Sequence, residues 1–144
     1  MAPSPQAGAS DRVAVVVRSD RTYEGKQGLT YGEGVFSENT GAEKICLHRL
    51  RIPPGGRANA HLHANHETAI YLISGRVTVL HGRGLRQRDE MQAGDYMYIP
   101  ANVPHLPINA SETEDAVAVL ARTDPNEQES VVLLPELETT PGNP

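Results

Sequence analysis

Cys46 is the only cysteine in 144 residues, so no intramolecular disulfide framework can staple this fold. No apolar run approaches the length that crosses a bilayer, and none follows a basic leader. Secretion and membrane insertion are set aside, and the cytoplasm is the expected address. Basic charge is scarce too. The chain has 13 Lys and Arg against 18 Asp and Glu, a net charge of −5, with the two signs interspersed. Phosphate binding needs a concentrated basic face, so nucleic acid is not an expected partner. The richest basic stretch, GRGLRQRDE at 82–90, is broken by acids beside a glycine turn and reads as solvated surface. Also missing are a helical period sustained over several turns and any internal repeat, which argues against a helical bundle and against a duplicated barrel.

What is present is a series of short β-rich runs separated by Gly, Pro and Asn. They are VAVVV (13–17), ICLHRLRI (45–52), TAIYLIS (68–74), RVTVLH (76–81), YMYI (96–99), AVAVLAR (116–122) and VVLL (131–134). This pattern predicts an all-β chain, a sandwich or barrel, with at most a short helix around Glu112 to Asp115. The length suits one domain, expected over 13–138, with frayed tails at 1–12 and 139–144 where large apolar groups are few. Met91, Met97, Tyr96 and Tyr98 read as sheet packing, and Cys46 as a small buried hydrophobe.

The histidines are unevenly placed. Three of the six fall within HLHANH, residues 61–66, just before an apolar strand. His61 and His63 share parity, so on a strand both side chains leave one face about 6 to 7 Å apart and their imidazoles can converge. Such a pair suits a metal, provided other ligands join it. His48 shares parity with Cys46, Leu50 and Ile52 and so faces the interior, either as a hydrogen-bonded core histidine or as a catalytic group. His81 stands before a glycine turn and reads as surface.

Two segments carry a resemblance. Gly55, His61, His63, Glu67 and Gly75 follow the first motif of the cupins, with seven residues rather than six between Glu67 and Gly75. Gly94, Pro100, His105 and Asn109 follow the second, with Asn102 where the family usually has glycine. Asparagine tolerates a left-handed turn, so that departure is mild. The resemblance implies a cupin: a jelly-roll antiparallel β-barrel with one divalent transition metal near its open end. It also implies His105 as a ligand beside His61 and His63. The extra residue before Gly75 puts Thr68, a poor ligand, at the family's fourth-ligand position. Strand alternation places His66 on the face of Thr68 and Glu67 on the other, unless a bulge intervenes. The expected set is therefore His61, His63, His66 and His105, with Glu67 as the conventional alternative. Zinc stands first among the metals, and imidazole equally suits iron, nickel and copper.

From about Ile45 to Leu137 the chain also resembles the single-domain cupins among the aromatic polyketide cyclases of antibiotic biosynthesis. That likeness implies aldol cyclisation and aromatisation of a poly-β-ketone, a small-molecule substrate that an acyl carrier protein could present. Glu67 or a histidine such as His48 would be the proton acceptor. Two alternatives from other classes are a metal-dependent dioxygenase and a small-molecule-binding cupin without catalysis.

Overall fold

The computed structural model describes residues 11–126, 128 and 130–139. Among them lie eleven strands: β1 (Thr22–Glu24), β2 (Thr30–Val35), β3 (Cys46–Ile52), β4 (His61–His63), β5 (Thr68–Ser74), β6 (Arg76–His81), β7 (Gln87–Gln92), β8 (Tyr96–Ile99), β9 (His105–Asn109), β10 (Ala116–Arg122) and β11 (Val131–Leu133). A one-turn helix, α1 (Ser37–Thr40), and a closing 3-10 segment, Pro135–Thr139, complete the main elements. The strands form two antiparallel sheets, ordered β1-β2-β3-β10-β5-β8 and β11-β4-β9-β6-β7. Six of the nine sheet pairs join strands that are not consecutive in sequence, and the architecture is the sandwich expected from the strand pattern, of the jelly-roll type that the cupin resemblance implies.

Alternation decides which residues meet between the sheets. In β3 and β10 every second side chain is buried, Cys46, His48, Leu50 and Ile52 facing Ala116, Ala118, Leu120 and Arg122 across the antiparallel register. Leu72, Val77, Val79 and Met91 complete the central core. Each fully buried aliphatic side chain there stabilises the fold by about 1.5 to 3 kcal/mol. β6 is buried on both faces, because Leu80 joins Ala60, Leu85 and Leu106 in a second cluster behind its sheet, covered by Leu134 and Leu137. Glu138 pins that cover, accepting from the Ala60 backbone N–H and from Arg57, both at 3.1 Å.

Three expectations differ from the structure. VAVVV is not a strand: Val13, Val15 and Val16 are exposed, and β propensity without a pairing partner does not make a ladder. No helix forms at Glu112 to Asp115, where Ser111 Oγ accepts from the N–H groups of Thr113 and Glu114 and holds the chain in a turn. GRGLRQRDE is surface apart from the buried Leu85, but its second half belongs to β7, paired with β6 from Arg76↔Gln92 to His81↔Gln87 with only Met91 of that strand buried. The predicted tails fall largely outside the described residues, at 1–10 and 140–144.

Candidate metal centre

β4 places His61 and His63 on the inward face of the second sheet, and the pairing His61↔His105 brings in the first residue of β9. All three rings are buried, with centroids 4.2 Å apart for His61 and His105, 5.1 Å for His61 and His63, and 5.4 Å for His63 and His105. One nitrogen from each lies within 4.8 Å of the others. His61 Nδ1 donates to the Asn59 carbonyl at 2.7 Å, and His105 Nδ1 to the Val103 carbonyl at 3.0 Å. A carbonyl can only accept, so Nδ1 carries the proton in both rings and Nε2 keeps its lone pair. Among the described residues neither nitrogen of His63 has a hydrogen-bond partner although both are buried, a cost of about 1 to 3 kcal/mol for each, which a bound cation would relieve at one of them.

Electrostatics keep the three rings neutral. Burial lowers the pKa of each. The His61 value is pushed well down by burial and then by His105. That of His63 falls through burial, then through the Arg122 charge. His105 is brought to about 4 by burial, against the opposing pull of its bond to Val103. Metal binding needs deprotonated imidazole, so these ligands need not shed a proton near pH 7. The donor set fits one divalent transition metal, with the Asn59 and Val103 carbonyls orienting two of the rings from behind.

The turns flanking β4 and β9 hold the site together. Asn102 donates its backbone N–H to the His63 carbonyl at 3.0 Å, and β11 pairs with β4 at Val131↔His63. Asn102 adopts φ 66°, the left-handed turn that its replacement of glycine requires. Gly75 has φ 89°, and a Cβ there would meet the Asp115 carbonyl oxygen at 2.6 Å.

The remaining candidates lie elsewhere. Thr68 is buried and faces inward; Glu67 is exposed, and its Oε1 accepts from the Tyr98 hydroxyl at 2.6 Å. His66 is half-buried outside the three-histidine group, its Nδ1 3.9 Å from Asp124 Oδ2. His48 packs against Tyr23 and Phe36, ring centroids 5.5 and 5.6 Å away, and accepts the Gly34 N–H at Nδ1. His81 bonds Asp89 at 2.7 Å. One residue went unread in the sequence. Arg122 ends β10, is 4% exposed, and donates from Nε to Thr68 Oγ1 at 3.0 Å. Its parity with Ala116, Ala118 and Leu120 in AVAVLAR marks it as inward-facing.

Comparison with known proteins agrees with the fold. The cupin-domain family model matches residues 48–121, about half of the chain, and the chain belongs to the cupin family. A "Probable oxalate decarboxylase" of Arthroderma benhamiae is 39% identical over 86 residues, which make up 58% of this chain and 21% of that protein. The chain thus spans about a fifth of that relative's length. The oxalate decarboxylase of Bacillus subtilis superposes with a TM-score of 0.67 at 22% identity, over 85% of this chain and 34% of that one. An oxalate oxidase gives 0.64 at 20% identity, over 76% and 57%. The Schizosaccharomyces pombe Cnp3 cupin domain gives 0.57 at 10% identity, over 67% and 61%. At these identities the structures show a shared fold. No helix among the described residues is long and apolar enough to cross a membrane.

Proposed function

We propose that the chain is a metal-dependent cupin enzyme acting on a small substrate bound through oxygen atoms, with oxygen-dependent cleavage as its first reading. The observation that carries this is the meeting of His61, His63 and His105 as three buried, neutral nitrogen donors with no carboxylate in their group. Three protein ligands leave coordination positions open, the arrangement that metal sites with exchangeable substrates use. A bound divalent metal would supply Lewis acidity toward a substrate oxygen. The chain's own part is to hold two of the rings by the Asn59 and Val103 carbonyls and to keep all three buried and unprotonated. The family relationship to oxalate-acting enzymes supports a small oxygen-rich substrate.

The polyketide cyclase reading takes second place. Aldol cyclisation also suits a Lewis-acidic centre, but the curated relative that the chain matches is described as a probable oxalate decarboxylase and not as a cyclase. As for the metal, three imidazoles do not favour zinc over iron, nickel or copper. Elemental analysis of protein purified without chelators, followed by oxygen uptake and product analysis with oxalate and other small keto and hydroxy acids, tests the proposal. Stoichiometric metal with oxygen-dependent turnover is the expected result. Turnover unchanged under argon would remove the oxygen-dependent reading, and absence of metal would remove the enzyme as drawn.

A further inference from the structure

The two outer faces of the sandwich are finished differently. Behind the second sheet, Leu134 and Leu137 of the C-terminal segment cover Leu80 and Leu106. The outer face of the first sheet has no such cover among the described residues. Strand alternation there points Leu47, Tyr71, Ile73, Tyr96 and Tyr98 outward, and all five are exposed, Tyr96 at 81%. An antiparallel sheet that meets water ordinarily turns polar side chains to it, and a contiguous apolar patch marks an interaction site. The end segments of this sequence beyond the described residues, MAPSPQAGAS and TPGNP, hold one large apolar side chain, Met1, and so supply no cover for this face.

Sheet register arranges the exposed side chains in rows. Gly32↔Arg49, Arg49↔Val119, Val119↔Tyr71 and Tyr71↔Tyr96 are successive partners, one row across β2, β3, β10, β5 and β8. Leu47, Ala121, Ala69 and Tyr98 form the row beside it. The first row is bulky at one end and flat at the other. Tyr71 and Tyr96, ring centroids 4.8 Å apart, stand at the β8 end; at the β2 end Gly32 has no side chain, and Arg49 Nη2 lies 3.0 Å from where its Cβ would be. In the second row Ala69 and Ala121, with Ile45 and Tyr98, border a depression of about 200 Å³, while Leu47 projects on the far side of β10.

We propose that this face is the interface of a homodimer, closed by a two-fold axis that runs parallel to β10 over Val119, so that Tyr71 and Tyr96 of one copy stack on the Arg49 guanidinium of the other. An axis along the strands exchanges the two ends of every row. Bulky ends then meet flat ends: the tyrosine ridge lies on Arg49 and Gly32, Leu47 enters the depression beside Ala69, and Val119 meets its own copy. A second copy therefore fits because the face is complementary to itself, as a two-fold interface must be. The two sheets would pack face to face with their strands nearly aligned. Guanidinium planes stack on aromatic faces, and tyrosine and arginine are the residues in which interface energy concentrates. The size is sufficient. Five strands about 4.8 Å apart and about six residues long give each copy a patch on the order of 450 Å² in plan and more in accessible surface, so the pair reaches the roughly 1,000 Å² of a biological interface.

Sedimentation velocity of the full chain from about 1 to 100 μM tests this, with a dimer as the expected species. Val119→Glu sets two carboxylates against each other on the axis and should weaken the dimer by about 100-fold or more. Tyr96→Ser should weaken it by about 30-fold, as truncation of a central aromatic anchor does. Both positions face outward, so the far-UV circular dichroism of each variant should match that of the wild type. Cross-linking locates the interface independently. Packed sheets lie about 10 Å apart, within reach of a short bismaleimide, and Cys46 is buried away from the reagent. Val119→Cys should be joined to its copy, and Arg88→Cys, exposed on β7 of the second sheet, should not. A wild-type chain that stays monomeric throughout, or a dimer that withstands Val119→Glu, overturns the inference. Should Val119→Glu not fold, equal cross-linking from Val119→Cys and Arg88→Cys overturns it. A monomer that sediments with neutral phosphatidylcholine vesicles assigns the face to a lipid surface and overturns it as well.

Discussion

Asn65 donates its backbone N–H to the side-chain oxygen of Asn102 at 2.9 Å, and both residues hold left-handed backbone, at φ 64° and 66°. One turn follows β4 and the other precedes β9, so this pair clamps the two strands that carry the histidines. Asn102→Ala removes the acceptor and forces a Cβ residue without local hydrogen bonding into the left-handed region. The expected cost is about 1 to 3 kcal/mol. Asn102→Gly relieves the backbone part and should restore roughly half of it. Urea unfolding midpoints of the three proteins compare these directly, and equal stability of the Ala variant and wild type would show that the clamp carries no energy.

Ligand identity separates by substitution. His61→Ala, His63→Ala and His105→Ala should each lose most bound metal, since each removes one of three converging nitrogens. Glu67→Gln should keep it, because that carboxylate points outward to Tyr98. His66→Ala is expected to retain metal within about 10-fold, the range of a residue acting behind the ligands. Metal loss in His66→Ala equal to that in His63→Ala would make His66 a fourth ligand.

Acid should destabilise the metal-free protein in a defined window. The unfolded chain protonates its histidines near pH 6.5, whereas folded His105 stays neutral down to about 4 and burial also holds His61 and His63 well below the ordinary imidazole value. The unfolded state thus binds more protons as pH falls, so stability declines from about pH 6.5 downward. Each neutral buried ring contributes a slope of about 1.4 kcal/mol per pH unit, which for His105 levels off below about pH 4. Denaturant melts at intervals from pH 7.5 to 4 measure this, and a flat profile would mean that the rings titrate in the folded protein as they do in the unfolded chain.

Gly75→Ala should be among the most damaging single changes outside the histidines. Its φ of 89° resists any Cβ, and the added methyl would strike the Asp115 carbonyl and Ala116 Cα at 2.6 and 2.7 Å. A loss of about 2 kcal/mol or more is expected from strain and displaced backbone together. A thermal midpoint within about 2 °C of wild type would show that the β5 to β6 turn can shift freely.

By itself the sequence determined the all-β class, the inward parity of His48, Leu50 and Ile52, and the shared face of His61 and His63. These follow from a strand's strict two-residue repeat, a local property of the chain. The cupin motif spacing added the turn at Asn102 and named His105. Tertiary structure alone decided that VAVVV pairs with nothing and that the charged 87–92 segment is a strand, because ladder formation depends on a neighbouring edge rather than on side-chain type. Alternation had already put Glu67 on the outer face, but only the structure showed its partner, Tyr98, and left His66 beside Asp124 outside the three-histidine group. The largest gap concerned Arg122. Its inward parity was readable in AVAVLAR, but its place beside Thr68 required β10 to pair with β5 across some fifty residues of sequence. Contacts at that range are set by sheet register, and no local pattern carries that information.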